Sequence, residues 1–99
     1  LVAESGGRIV GFLMVEDTGH IYNIAVDPNY QRQGIGSQLL QTARQSIGKT
    51  YQKLRLEVRV SEVRTQRLYE KHDFNVVETI EGYHDDGEGV HVMECSTVT

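Results

Sequence analysis

Two glycines one residue apart, at the start of an amphipathic segment, are the clearest sign of chemistry in this chain of 99 residues. Gly34 and Gly36 let the backbone come close to a ligand and turn its N–H groups outward. The spacing of apolar residues predicts a helix over residues 34–47. Because the first turn of a helix has unpaired N–H donors and a positive dipole end, the pattern predicts a seat for a phosphate or pyrophosphate.

Two familiar nucleotide-binding loops do not fit this segment. A P-loop has lysine and then serine or threonine after its last glycine, but Gly36 is followed by Ser37 and Gln38. A dinucleotide fingerprint needs glycine or alanine where this chain has Leu39. Its glycines also follow the strand directly, whereas seven residues separate Val26 from Gly34 here. The loop is therefore expected to bind another kind of phosphorylated ligand. The alternative is a tight loop that only begins a helix.

The elements that position this loop are predicted to form one α+β domain over residues 1–99, in the order β-β-β-α-β-α-β-β. Period-2 runs and turn signals predict six strands: residues 1–4, 8–16, 19–26, 54–60, 74–80 and 90–95. The first helix is expected to end at Gly48 as its C′ residue, and Ser61 is expected to cap a second helix that runs to about His72. One crossover helix between strands three and four implies a mixed, mostly antiparallel sheet.

Composition and charge restrict the class of partner. A hydrophobic fraction of 38% and a charged fraction of 24% are typical of a globular protein with one modest core. No apolar run has the length of a membrane span and no signal peptide is recognisable, so no membrane partner is expected. A net charge of −4 argues against a nucleic-acid partner, although a local positive region can still bind an anionic cofactor.

The cysteine and histidine content predicts neither a disulfide nor a metal site. The single cysteine, Cys95, agrees with a cytoplasmic location and is expected to be a small buried side chain. The histidines lack metal-ligand spacing and are expected at the surface or at the rim of a site: His20, His72, His84 and His91.

Motifs along nearly the whole chain resemble one protein family. The loop Gln31-Arg32-Gln33-Gly34-Ile35-Gly36 is similar to the acetyl-CoA signature Q/R-x-x-G-x-G/A of the GCN5-related N-acetyltransferases (GNAT). Further motifs resemble the branch that contains the ribosomal-protein alanine and N-terminal acetyltransferases: Asn23-Ile24-Ala25-Val26-Asp27-Pro28, Leu56-Glu57-Val58-Arg59, Leu68-Tyr69-Glu70-Lys71 with Phe74, and Gly82-Tyr83 with Asp86-Gly87-Glu88. The resemblance implies a GNAT-like fold and an enzyme that transfers acetyl from acetyl-CoA to an amine, most directly a protein or peptide N-terminal α-amine.

The resemblance also implies a cofactor site for acetyl-CoA. Backbone N–H groups of residues 32–37 would hold the pyrophosphate, and the pantetheine arm would pair with the splayed edge of the third strand, since its amides resemble a peptide. Glu62 stands where the branch usually has an asparagine that contacts the cofactor, and its carboxylate is less suited to an anionic ligand. The implied cofactor-binding residues are Ile24, Ala25, Val26, Arg32, Gln33, Gly34, Ile35, Gly36, Ser37 and Glu62.

Acetyl transfer to an amine needs one proton taken from the ammonium and another delivered to the departing thiolate. The resemblance implies that Glu57 is the base and Tyr69 the acid, with a backbone N–H near Val26 as donor to the thioester carbonyl. The structural alternatives are a surface carboxylate paired with Arg55 and Arg59, and an ordinary half-buried helix tyrosine.

The acceptor side is assigned less directly. The resemblance implies that Tyr83 lines the acceptor peptide site, and the alternative is a turn aromatic that packs on the sheet. Acidic residues at 85–88 are expected to attract a cationic amine. Two other functions remain open: acetylation of a small-molecule amine, and a truncated, non-catalytic acyl-CoA-binding module.

Departures from the family concern the fold as well as the site. Family members begin with a strand and a helix pair that this chain lacks, and it starts at Leu1 within a strand-like run, so we expect a fragment or a processed product. The first strand would then have an unpaired edge, covered by a missing segment, a second copy or a partner chain. Asp73 stands where the branch has glycine, and aspartate tolerates the left-handed backbone expected there.

Overall fold

The computed structural model describes residues 1–47 and 52–97, and within them it has six strands and two α-helices in the predicted order. The strands are β1 Val2–Ser5, β2 Arg8–Val15, β3 Ile21–Val26, β4 Lys53–Arg59, β5 Asn75–Ile80 and β6 Val90–Ser96. The helices are α1 Ile35–Ile47 and α2 Val63–Lys71, and a short 3-10 turn, Pro28–Tyr30, precedes α1. The predicted α+β class and element order are confirmed, while the predicted C′ position at Gly48 lies outside the described residues.

The strands form two antiparallel sheets of three strands each. One sheet has the order β1-β2-β3 and the other β4-β6-β5. Among the described residues, the two sheets pair only at a parallel bridge between His20 and Arg55, where the Arg55 N–H donates to the Gly19 carbonyl at 3.0 Å. Beyond this bridge the described residues of β3 and β4 do not pair. The predicted mixed sheet is therefore continuous only at His20 and Arg55, and β3 and β4 separate from there onwards.

Alternating apolar residues and both helices build one core that contacts both sheets. In β4, Leu54, Leu56 and Val58 are buried, as strict alternation requires. The other buried members of the core come from both sheets, both helices and the residue before β5: Leu13, Ile21, Leu39, Leu40, Ala43, Tyr69, Phe74, Met93 and Cys95. Burial of Cys95 confirms the prediction for that residue. No helix within the described ranges is long and apolar enough to cross a membrane.

The start of α2 differs from the prediction. Ser61 does not cap the helix: the N-cap is Glu62, whose side chain makes no capping hydrogen bond. The Ser61 hydroxyl instead donates to the carboxylate of Glu88, a stronger acceptor interaction than a cap provides because the partner is charged. The helix ends at Lys71 with His72 as its C-cap, which agrees with the predicted end at about His72. Asp73 follows with a φ of 67°, the left-handed conformation expected there.

Candidate active site

The loop between β3 and α1 presents a row of unpaired backbone N–H groups. In the part of the chain that the structure describes, no backbone N–H of residues 31–37 donates to a protein acceptor; the first bond of α1 joins the Gln38 N–H to the Gly34 carbonyl at 2.9 Å. Arg32 and Gly34 have φ values of 64° and 82°, and such left-handed residues in a turn aim neighbouring N–H groups at a common point. This geometry supports the predicted phosphate seat.

A cleft of about 680 Å³ opens between this loop, β3 and α2. Most of the predicted cofactor residues line it: Ile24, Ala25, Val26, Arg32, Gly34, Ile35, Gly36 and Ser37. Gln33 lines a separate groove of about 370 Å³ beside β1, so its side chain lies outside the cleft. Glu62, at the N-cap of α2, is also absent from the lining.

The cleft is basic although the chain has a net charge of −4. Arg64, Arg67 and Lys71 of α2 line it together with Arg32, and no described aspartate or glutamate does so. These three α2 residues recur at i, i+3 and i+7, which places them on one face of the helix. Sequence reasoning missed them, and that spacing was the signal that could have found them.

The open edge of β3 faces the cleft. The Asp27 N–H donates to the Val10 carbonyl of β2 at 2.7 Å, and backbone groups alternate in direction along a strand. Ala25 therefore points its backbone groups towards β2, while Ile24 and Val26 point theirs to the open edge. The side-chain amide of Gln31 donates to the Val26 carbonyl at 3.2 Å, so this edge offers a ligand the N–H groups of Ile24 and Val26.

Tyr69 lines the same cleft from α2 and is only 6% exposed. Its ring packs against Phe74, with 5.9 Å between the ring centroids. Burial and then the negative charge of Glu62 raise the pKa of Tyr69 to about 12. The hydroxyl therefore keeps its proton at neutral pH and is available as a hydrogen-bond donor.

Glu57 lies close to the point where β3 and β4 separate, two residues after the bridge at Arg55. Its Oε2 atom is 2.8 Å from Nε2 of His20, and Nδ1 of His20 is 3.7 Å from Oε2 of Glu16. The partner of Glu57 is thus a histidine and not the flanking arginines, so the predicted alternative of an arginine-paired carboxylate is wrong.

His20 is a further residue whose part in the site sequence reasoning missed. It was expected at the surface or at the rim of a site; its side chain is 18% exposed and lies against the carboxylate of Glu57. The two residues are 37 positions apart, and only the pairing of β3 with β4 brings them together. No local pattern in the sequence marks such a pair.

Tyr83 lies in the loop between β5 and β6 and is 53% exposed. Its ring meets His84 edge-on, at 5.2 Å between centroids, and it does not line the cleft. Of the acidic residues expected to attract an amine, Asp86 and Glu88 are both 3.0 Å from Nη1 of Arg59. The positive charge of Arg59 therefore offsets part of their negative charge, and they attract a cationic amine less than the sequence predicts.

Comparison with protein families decides which fold family this geometry represents. The model of the acetyltransferase (GNAT) domain matches residues 1–76, which include the glycine loop, the open edge of β3, Glu57 and Tyr69. The chain belongs to the GNAT family. The predicted family membership is confirmed.

Proteins named as N-acetyltransferases resemble the chain over most of its length. It is 34% identical to the N-alpha-acetyltransferase of Sulfurisphaera tokodaii, over 93% of the chain and 65% of that protein. It is 36% identical to the ribosomal protein bS18-alanine N-acetyltransferase of Escherichia coli, over 84% of the chain and 59% of that protein. The crystal structure of the ribosomal-protein-S18-alanine N-acetyltransferase from Escherichia coli superposes with a TM-score of 0.85 and 34% identity, covering 97% of the chain and 66% of the other. The GNAT chain thus spans about two thirds or less of these relatives.

Proposed function

We propose that this GNAT chain transfers the acetyl group of acetyl-CoA to an amine, most directly the α-amine of a protein or peptide N-terminus. The observation that carries the proposal is the cleft, which joins the unpaired N–H groups of residues 31–37 to the open edge of β3 and to Tyr69. The names of the similar N-alpha-acetyltransferase and ribosomal-protein alanine N-acetyltransferase support a peptide acceptor.

The residues of the cleft fit acetyl-CoA. A pyrophosphate needs several donors at once, and the N–H groups of residues 31–37 supply them at the start of α1. Arg32, Arg64 and Arg67 suit the negative charge of the phosphates. The amides of the pantetheine arm can add to the backbone of β3 as a further strand would. A volume of about 680 Å³ also lies within the usual range for small-molecule sites.

Residues of the cleft and the Glu57–His20 pair, which lies where β3 and β4 separate and is absent from the cleft lining, then divide the work of the reaction. Acetyl-CoA, when bound, supplies an activated acyl thioester. Glu57 accepts the proton of the acceptor ammonium, directly or through a water, and His20 at 2.8 Å holds that carboxylate in one orientation. The Val26 N–H donates to the carbonyl oxygen on which negative charge develops.

Tyr69 acts on the leaving group. A pKa of about 12 is well above that of an ordinary thiol, about 8.5, so complete transfer of the Tyr69 proton to the sulfur is unfavourable. Tyr69 therefore stabilises the departing thiolate as a hydrogen-bond donor. This differs from the role of acid that the resemblance implies, and the difference arises from the burial of the hydroxyl.

The test is acetylation of a peptide panel that varies in its first two residues, followed by thiol release and by mass spectrometry of the products. The same peptides with a blocked α-amine are the matched controls, and spermidine represents small amines. We expect acetylation of free α-amines alone. Acetylation of spermidine but of no peptide would favour the small-molecule alternative. Measurable CoA binding without thiol release for any amine would refute an enzymatic role and favour the acyl-CoA-binding module.

A further inference from the structure

The loop between β5 and β6, residues 81–89 and called the β5–β6 loop below, is anchored to the corner that follows β4. Nη1 of Arg59 lies 3.0 Å from Oδ2 of Asp86 and 3.0 Å from Oε2 of Glu88. The other carboxylate oxygen of Glu88 accepts the Ser61 N–H at 3.0 Å and also the Ser61 hydroxyl. Both oxygens of Glu88 are therefore used to hold the loop to residues 59–61.

Hydrogen bonds inside the loop converge on the same residue. The His84 N–H donates to the Glu88 carbonyl at 3.0 Å, and the Gly87 N–H donates to the His84 carbonyl at 2.9 Å. The Glu88 N–H donates to Oδ1 of Asp86 at 2.9 Å. Glu88 thus belongs both to the internal turn and to the external anchor, and Tyr83 is the direct neighbour of His84, where that turn begins.

The corner that receives Glu88 is itself fixed. Nε2 of Gln66, on α2, donates at 3.0 Å to the carbonyls of both Arg59 and Val60. Arg59 follows Glu57 by two residues on β4, so the two side chains share one face of that strand. A displacement of the β5–β6 loop from this corner would therefore move Tyr83 relative to Glu57.

We propose that Glu88 is a positioning residue for the acceptor: it fixes the β5–β6 loop, and with it Tyr83, to the strand that carries Glu57. This role rests on the proposed function, since it assumes that the acceptor meets Tyr83. Arg59, Ser61, Asp86 and Glu88 are all absent from the lining of the cofactor cleft. Loss of Glu88 should therefore weaken use of the peptide and spare the cofactor.

Steady-state kinetics of Glu88→Ala, Glu88→Gln and the control Glu94→Ala test the proposal. Glu94 is a partly buried carboxylate of β6 whose Oε1 lies 3.7 Å from Nζ of Lys53, away from the loop. For Glu88→Ala we expect the peptide KM to rise about tenfold or more, because charged hydrogen bonds are lost, while kcat and the acetyl-CoA KM stay within about twofold. Glu88→Gln keeps an oxygen for Ser61 and should recover part of the loss, and it replaces Glu88→Ala in the comparison if that variant does not fold.

Hydrogen exchange separates this inference from the proposed function. In Glu88→Ala the amides of His84 and Gly87 should exchange faster, and those of β4 should not. Unchanged exchange in the loop would overturn the positioning role, whether or not the protein acetylates peptides. A peptide KM equal to that of Glu94→Ala would also overturn it. So would a decrease in kcat together with an increase in the acetyl-CoA KM. Absence of acetylation by the unmodified protein would instead count against the proposed function.

Discussion

Replacing Gly36 by valine should remove CoA binding and leave the protein folded. Gly36 has no left-handed φ, and a Cβ placed there meets Cδ2 of Leu68 at 3.4 Å, an ordinary van der Waals contact. The helix propensities of glycine and valine differ by only about 0.4 kcal/mol. The ligand-free variant should therefore unfold at nearly the same temperature as the unmodified protein.

The loss of affinity can be estimated from the geometry of the seat. Gly36 lines the cleft between two neighbours, Ile35 and Ser37, whose N–H groups are unpaired, and a valine side chain would hold the pyrophosphate away from them. Loss of two hydrogen bonds to a charged group, at about 1.5 kcal/mol each, amounts to about 3 kcal/mol, a factor of more than about 100 in Kd.

Thermal unfolding in the presence of CoA converts this factor into a measurable shift. At a CoA concentration about 100 times the Kd of the unmodified protein, binding stabilises that protein by about 2.7 kcal/mol and a variant with a 100-fold higher Kd by about 0.4 kcal/mol. In a domain of this size these values correspond to increases in Tm of about 11–22 °C and about 2–3 °C.

The assay is differential scanning fluorimetry with and without CoA, with Kd measured by titration calorimetry. Gln45→Val is the matched control, because it places the same side chain at an exposed position of α1 beyond the cleft. It should bind CoA as the unmodified protein does. Binding of CoA to Gly36→Val within about threefold of the unmodified Kd would refute the argument for the phosphate seat.

Three further predictions concern the base, the buried tyrosine and the core. Glu57→Gln should lower kcat by about 10²–10⁴ and leave CoA affinity unchanged in a calorimetric titration; a matching loss of affinity would show that Glu57 is structural. Folding raises the pKa of Tyr69 to about 12, so its contribution to stability is complete below pH 10 and is lost between about pH 10 and 12. The free energy of unfolding of the unmodified protein, measured in urea, should therefore fall by about 3 kcal/mol between pH 10 and 12, and that of Tyr69→Phe should not show this fall. An identical pH dependence in both proteins would refute the raised pKa of Tyr69. Phe74 is 1% exposed, and its replacement by alanine should lower the free energy of unfolding in urea by about 3–5 kcal/mol. A decrease of less than about 1 kcal/mol would contradict its place in the core.

The order of the elements was predictable because local patterns determine it. Strict alternation at residues 54–58 places Leu54, Leu56 and Val58 on one face, and the structure buries all three. The separation of β3 from β4 was not predictable in this way. Pairing between strands that are distant in sequence depends on the packing of the whole domain. Between β3 and β4 it is confined, among the described residues, to one bridge at His20.

The same distinction between local patterns and distant contacts applies to the candidate active site. The glycine loop was recognisable because its residues are contiguous and its backbone does the binding. The contact of His20 with Glu57 joins two elements, and no local signal carries it. Ser61 was assigned wrongly because a serine before a helix can cap it or donate elsewhere, and the position of Glu88 decided between the two. The peptide acceptor and the cytoplasmic location stay predictions.

The single bridge between the two sheets has a consequence for how the domain unfolds. Within residues 1–47 and 52–97, the unit of β1, β2 and β3 pairs with the unit of β4, β5 and β6 only at His20 and Arg55. Otherwise the two units meet through the core and the helices. Units joined so narrowly can open separately, below the free energy of global unfolding. CoA bound between the edge of β3 and α2, the helix that links β4 to β5, would connect the two units. It should therefore raise the free energy of separate opening towards that of global unfolding.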